Sequence, residues 1–413
     1  MELRRWVFGV GVAKGEHVDR RHPRVLSWVA APLALSSACH PADSVSRWTV
    51  QDSAGVEVVA NLTAPPAWHL GSQPEISLGT VNEEGPTQFY RVRDIALLED
   101  GGFVVANSGT DELRFFDAEG HFRGSAGGHG SGPKEFNRLA VVKPFGDSLM
   151  TYDGGNDRVS VRTIDGTFVR SFRLDWSSGL VPSPQALLGA PGVLSIAVRP
   201  MTQLNHSGLN VDTVLVSHYD MEGHLVDSIQ HLPFLARVVH MEGDMQTTLG
   251  SPFSAVGQVA PTPSGFCYAY GPSPTIDCFD LEGHLRRVVH APIPTRPVTD
   301  ADMSRYWDDA LAEARGRMVE ILRRSRDWMM FPDAFPAFAT LLADDRGRVW
   351  AQVYPMPHAD ERRWMAFDQG RAVGEIRVPA SFNVFNVWGD RVAGVWIDDM
   401  GIEYVRVYRL RES

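Results

Sequence analysis

Phe116-Asp117-Ala118-Glu119-Gly120-His121-Phe122 recurs as Tyr219-Asp220-Met221-Glu222-Gly223-His224-Leu225 and again as Phe279-Asp280-Leu281-Glu282-Gly283-His284-Leu285. Each copy runs an apolar residue into Asp-x-Glu-Gly, in which the Gly supplies a positive φ and the Asp side chain bonds the backbone two residues on. An extended run follows each time, so the unit is a hairpin. Shorter versions stand at Ile164-Asp165-Gly166-Thr167-Phe168 and Phe367-Asp368-Gln369-Gly370-Arg371. At least five units share one strand–turn–strand element.

A second repeated line sets the period. Glu84-Gly85-Pro86-Thr87-Gln88-Phe89-Tyr90-Arg91 returns as Ser131-Gly132-Pro133-Lys134-Glu135-Phe136-Asn137-Arg138, with Gly85 and Gly132 47 residues apart. Later hairpin glycines lie further apart, so later units carry insertions. A period of this length points to stacked or radial units. Within the first unit, Gly, Asp and Asn bound four short strands over 92–98, 102–107, 112–117 and 121–125. Four strands per unit is a propeller blade. Helical solenoids do not fit a chain with 38 Gly and 27 Pro and one convincing helix.

The expected fold is therefore all-β: a six-bladed β-propeller of four-stranded blades over 92–125, 139–174, 185–231, 255–291, 337–379 and 381–410. One helical insertion, 297–336, falls between blades four and five. The sixth blade shows three strands, and the stretch Glu75 to Leu78 is expected to supply its fourth and close the ring. The earlier run Val56-Glu57-Val58-Val59-Ala60 either adds an edge strand or tethers the module. Inside the insertion, the spacing predicts one helix over 300–328, with Thr299 and Asp302 as a capping box. Its apolar stripe, Met303, Tyr306, Trp307, Ala310 and Leu311 onward, packs it on the propeller, or else the insertion lids the central pocket or docks a partner.

The chain resembles the NHL-repeat and related six-bladed β-propellers, including propeller lipoproteins of bacterial envelopes. The residues carrying the likeness are Gly130-Ser131-Gly132-Pro133-Lys134-Glu135-Phe136, the segment Tyr152-Asp153-Gly154-Gly155-Asn156-Asp157-Arg158-Val159-Ser160-Val161, and the Asp-x-x-Gly hairpins. The resemblance implies the fold and no single activity, because propellers host enzymes, binding modules and scaffolds alike.

Composition narrows the partners. The net charge is −11 over 413 residues, with only Lys14, Lys134 and Lys143 as lysines. An acidic surface lacks the basic footprint that nucleic acid or an anionic membrane requires, so no nucleic acid is expected. At the N-terminus, Arg20-Arg21-His22-Pro23-Arg24 precedes a short apolar stretch over 25–38. A spanning helix needs about 20 apolar residues, so 1–38 reads as a signal peptide with an over-long start. Small residues Ser36-Ser37-Ala38 before Cys39 resemble a lipobox, with Ser36 where a Leu is usual. Two outcomes follow: lipidation of Cys39, or plain secretion. Residues 39–73 are expected to form a tether with a possible edge strand, ahead of the propeller at 74–413.

Cys267 and Cys278 stand symmetrically about a Gly-Pro-Ser-Pro turn. That placement sets them opposite each other on adjacent strands, either as a disulfide in an oxidising compartment or as two reduced core cysteines. Nucleophile elbows, P-loops and His-Glu-x-x-His zinc motifs are all missing from the sequence, and no catalytic or metal-ligand set is assigned. His121, His224 and His284 share one repeat position on outer hairpins and lie too far apart to share a metal. Asp94, Asp153, Asn156 and Asp157 are the polar candidates for the channel axis. They are the residue types that propeller lactonases and lyases place on a central calcium or zinc, and equally those that a tight turn demands. The sequence reading is an exported, lipid-anchored module of the bacterial cell envelope that needs no cofactor and acts by binding or scaffolding a protein or small ligand. It would meet the membrane through the lipid alone. The alternative is a Ca- or Zn-dependent propeller hydrolase or lyase with a site on the axis.

Overall fold

The repeated hairpins share one set of hydrogen bonds. Asp117 Oδ1 accepts from the backbone N–H of Glu119 (3.2 Å) and His121 (2.7 Å), and Asp220 Oδ1 accepts from Glu222 and His224 at 2.9 Å each. Asp280 repeats the pattern with Glu282 (3.1 Å) and His284 (2.8 Å). Gly120 takes φ 87°, and a Cβ there would also lie 2.9 Å from Ile76 of the closing strand. Only glycine meets both demands without strain.

The computed structural model describes residues 46–80, 85–175, 180–181, 187–190, 193–200, 207–243 and 245–412. The segment 1–38 read as a signal peptide, Cys39 and part of the third repeat unit lie outside the described residues. Those residues sort their strands into six sheets whose sequence neighbours pair antiparallel. The first sheet is Val92–Leu97, Phe103–Asn107, Glu112–Phe116 and Phe122–Gly127. The second is Leu139–Phe145, Ser148–Asp153, Arg158–Thr163 and Phe168–Arg173. The third includes Leu187–Ala190, Val193–Pro200, Gly208–Tyr219 and the long Leu225–Glu242, with Met245–Gly250 added at its edge. Gln258–Thr262, Gly265–Ala269, Thr275–Asp280 and Leu285–His290 make the fourth. Phe338–Ala343, Val349–Val353, Glu361–Asp368 and Arg371–Pro379 make the fifth. Phe382–Trp388, Arg391–Ile397 and Glu403–Arg411 begin the sixth.

The N-terminal strand Ile76–Leu78 pairs antiparallel with Glu403–Arg411, in the register Val405↔Leu78 and Val407↔Ile76, and so adds a fourth strand to the sixth sheet. The first strands of the sheets touch one another in a closed order: first to second, third, fourth, fifth, sixth and back to first. Apolar layers fill the spaces between successive sheets. One holds Ala96, Val104, Leu113, Phe136, Leu139 and Val142 between the first and second, and another holds Ile76, Val92, Ile95, Phe103, Val405 and Val407 between the sixth and first. Because both faces of a sheet are covered, its strands are apolar on both sides. Phe103–Asn107 is buried at every position.

Val56–Asn61 runs parallel to Leu285–His290 and pairs with Trp48–Ser53, extending the fourth sheet outward. Asn61 Nδ2 donates to the carbonyls of His290 (3.0 Å) and Gly370 (2.9 Å), which fastens this edge to the fifth sheet. From Trp48 on, the stretch read as a tether is therefore docked structure.

The single helix expected over 300–328 is two helices, α1 (Asp300–Glu313) and α2 (Arg317–Ser325). Gly316 separates them at φ 58°, ψ −133°, a conformation that only glycine enters readily, and Ala314 is extended. The Thr299–Asp302 capping box starts α1. An aromatic cluster of Phe253, Tyr306, Trp307, Phe331 and Phe335 fastens the insertion, and His240 stacks on Trp328 with centroids 4.9 Å apart. Cys267 and Cys278 face each other in register on neighbouring strands and are joined by a disulfide, with 4.0 Å between their Cα atoms.

Removing residues 74–79 should cost the whole domain about 3–5 kcal/mol, since it uncovers the layer between the sixth and first sheets. Denaturant unfolding should stay one transition with a lower midpoint. An unchanged midpoint would mean that the strand is dispensable decoration.

Candidate functional site

The two Gly-Pro loops build one end of the channel. In each, a buried phenylalanine, Phe89 or Phe136, anchors the loop, and an arginine ends it just before an innermost strand. Arg91 (φ 55°) and Arg138 (φ 66°) both sit in the left-handed region, at a cost of about 1 kcal/mol each. The turn after the second strand of the same sheet holds them there. Tyr90 N–H donates to Asn107 Oδ1 (2.9 Å), and Asn137 N–H donates to Asp153 Oδ1 (2.9 Å). The N–H groups of Ser108 and Gly109 donate to the carbonyls of Arg91 and Tyr90, and those of Gly154 and Gly155 repeat this with Arg138 and Asn137. Gly109 and Gly155 permit the approach, because a Cβ at either would fall 2.4 or 2.3 Å from the facing carbonyl.

The cavity these loops border has a volume of about 790 Å³ and is lined from the first, second, fourth, fifth and sixth sheets. It therefore lies on the axis that the innermost strands encircle. Among the described lining residues, Arg91, Arg93, Arg138, Lys143 and Arg362 stand against one carboxylate, Asp94. Several of these charges are engaged by the protein itself. Lys143 Nζ donates to Asp94 Oδ1 (2.9 Å), Arg138 donates to the Gly154 carbonyl (2.7 Å), and Arg362 donates to Asn383 Oδ1. Arg91 lies over the Tyr90 ring, and Arg93, exposed on an innermost strand, has no hydrogen-bond or ion-pair partner among the described residues. Burial lowers the pKa of Arg362 from the usual guanidinium value.

Asp94 is buried, at 5% exposure. Burial raises its carboxyl pKa above the ordinary 3.8, and Lys143, together with the N–H groups of Val142 and Ile95, opposes the shift. Asp94 Oδ2 accepts from Val142 N–H (3.1 Å), so this side chain ties the innermost strands of the first and second sheets together.

Of the four axial candidates, Asp94 alone lines the cavity. Asp153 is fully buried and accepts from Asn137, Gly155 and Asn156, while Asn156 Nδ2 donates to Asp153 Oδ2 (2.6 Å) and to the Gly130 carbonyl (3.0 Å). Asp157 sits at φ 51° in the same turn. These three position the loop that carries Arg138. Sequence reasoning passed over the arginines, although the signal was there: both Gly-Pro copies end in Arg at the same repeat position.

Calcium or zinc chemistry on the axis would need several carboxylate, Asn or His ligands converging on one point. The described lining offers Asp94, held by Lys143, and Asn383, held by Arg362, and it contains no His or Cys. Among the described residues, ligand-type groups cluster instead on two outer hairpins, at Asp117/Glu119/His121 and Asp280/Glu282/His284. There the Asp carboxylates already serve the turn backbone and pair with Arg123 and Arg286. What the axial arrangement does offer is fixed positive charge for an anion, in a partly desolvated recess where ionic hydrogen bonds are strong.

No family model and no curated protein matches the sequence. Solved structures do. A member of the DUF4221 family from Bacteroides vulgatus aligns at 10% identity over 84% of this chain and 99% of its own, with a TM-score of 0.53. A putative exported protein from Bacteroides fragilis aligns at 14% identity over 86% and 99%, with a TM-score of 0.48. Virginiamycin B lyase from Staphylococcus aureus aligns at 8% identity over 83% and 99%, with a TM-score of 0.41. The fold is a β-propeller. At these identities the likeness extends no further than fold.

Lys143→Met tests the axial pair. Because the folded pKa of Asp94 is raised, its contribution to stability is full below the unfolded pKa and is lost as pH rises through the folded one. Without Lys143 that loss deepens. The variant should be destabilised by about 3 kcal/mol near neutral pH, with the deficit shrinking in acid as Asp94 takes up its proton. Urea midpoints at both pH values measure this, and a deficit that grows in acid would point to a different group.

Proposed function

We propose that this chain is a six-bladed β-propeller of the NHL-like type, exported to the bacterial cell envelope and anchored by lipid on Cys39. In this reading it acts as a binding module whose axial cavity takes a small anionic ligand. The closed order of innermost strands and the fourth strand added by Ile76–Leu78 support six blades. The basic cluster at 20–24, the short apolar run and the small residues before Cys39 support export and anchoring. The Cys267–Cys278 disulfide suits an oxidising compartment. Among the described residues no helix is long and apolar enough to cross a membrane.

One observation carries the ligand reading: among the described lining residues, five cationic side chains face one carboxylate that is already paired, in a protein whose net charge is −11. Charge of one sign gathered in a recess, against the sign of the whole chain, is what anion recognition requires. Ion pairing elsewhere supplies a contrast. Arg348, for example, is neutralised by Asp344 at 2.6 Å and Glu412 at 2.7 Å. Among the described residues the cavity arginines have no such acids.

Inorganic phosphate should bind the purified protein saturably, and more weakly as salt is added. An Arg91→Ala/Arg93→Ala double variant should lose at least about tenfold in affinity while keeping its unfolding midpoint. Calorimetric titration decides, and equal binding by the double variant would remove the cavity from the explanation.

Lipid anchoring has its own test. Metabolic labelling with a fatty acid should mark the wild type, and Cys39→Ala should abolish the label and release the protein into the soluble fraction. Unlabelled, soluble wild type would replace the anchor with simple secretion.

A further inference from the structure

The axial cavity is polarised. Arg91, Arg93, Arg138 and Lys143 all come from the first and second sheets. In the closed order of innermost strands, the fourth and fifth sheets stand across the axis from these two. Their side of the cavity carries one cation, Arg362, which already donates to Asn383 Oδ1, and the other described lining groups there are neutral.

One of those groups is out of place as core. Gln352 is only 6% exposed, yet its amide has no hydrogen-bond partner among the described residues. Its amide is not sealed from solvent and the residue lines the cavity, so the amide opens onto it. Buried side-chain polar groups nearly always have a partner, and leaving one unmade costs about 1–3 kcal/mol. The register extends the feature across three strands. Thr340 pairs with Gln352 and Gln352 with Trp364, which places a hydroxyl, an amide and an indole ring side by side, all three on the cavity wall.

We infer that the cavity takes a bifunctional ligand, a small carboxylic acid with a hydroxylated body, of the acidic-sugar class. The carboxylate meets the arginines of the first two sheets, and Gln352 and Thr340 bond the hydroxyls of the body. A hydroxyl both donates and accepts, which suits an amide and a threonine side by side. This rests on the anion reading above and adds the neutral half of the ligand.

Three probes separate the two halves: acetate for the bare carboxylate, glucose for the bare body, and glucuronate for both. Wild type should bind glucuronate at least about tenfold more tightly than acetate, with glucose weaker than either. Gln352→Leu should lower glucuronate affinity to that of acetate, with acetate and phosphate binding unchanged. Because the amide has no partner among the described residues, this variant should also keep its unfolding midpoint. Thr340→Val should give a smaller loss in the same direction. If glucuronate binds no better than acetate while acetate and phosphate still bind, or if Gln352→Leu leaves glucuronate affinity intact, the hydroxylated-body inference is overturned and the anion reading stands. If acetate, phosphate and glucuronate all fail to bind, both fall.

Discussion

The pairing of Ile76–Leu78 with Glu403–Arg411 is the contact on which the other sheets depend. Each sheet is covered on both faces by its neighbours, so an unclosed circle would expose two apolar faces and two ladder edges at once. Closure joins segments more than three hundred residues apart, and loop entropy grows only slowly with length. Several local interactions then hold it. Ile76 sits in one apolar layer with Val405 and Phe103, so the closing strand belongs by hydrogen bonds to the sixth sheet and by packing to the first. Glu75 pairs with Arg409 at 2.8 Å and lies 3.4 Å from Arg391, whose Nη1 donates to the Gly101 carbonyl at 2.7 Å. Val92 N–H donates to Glu403 Oε2 at 2.9 Å, which ties the first innermost strand to the last sheet.

The same local chemistry that builds the loops places the charge. A buried Phe, a side-chain acceptor at the end of the second strand and a glycine that lets two backbones approach together force Arg91 and Arg138 into left-handed geometry at the cavity rim. An acidic protein with a cationic recess presents opposite fields at different ranges. At physiological salt, charges more than about 8 Å apart are largely screened, so an anion at the cavity mouth is governed by the nearby arginines rather than by the net charge. Asp94 keeps this field from being wholly uncompensated at its base, and ties two innermost strands in doing so.

The helical insertion leaves from Leu285–His290, the last of the four consecutive strands of the fourth sheet, and returns at the innermost strand of the fifth. It shares that position between sheets with the Gly-Pro loops, and so emerges at the same end of the channel. Its aromatic contacts run to Phe253 and His240, beside the extended strands of the third sheet. Among the described lining residues none comes from α1 or α2.

Local features were legible from residue order. The Asp-x-Glu-Gly hairpins, the 47-residue recurrence and the capping box at Thr299 all depend on groups within a few residues of one another, where side-chain and backbone chemistry dictate a single geometry. The pairing partner of Glu75 to Leu78 was also inferable, because a three-stranded last unit leaves an edge to fill. The break at Gly316 was not, since the apolar spacing runs straight through it and a glycine's choice of φ depends on what lies around it. Asp153, Asn156 and Asp157 were ambiguous for a physical reason: the oxygens that ligate a metal are the oxygens that cap a turn, and only their hydrogen-bond partners tell the two apart. The axial cavity belongs to tertiary structure alone. Arg93, Lys143, Gln352 and Trp364 stand on four strands from three sheets, and nothing in their order along the chain brings them together until the innermost strands close on one another around a common axis.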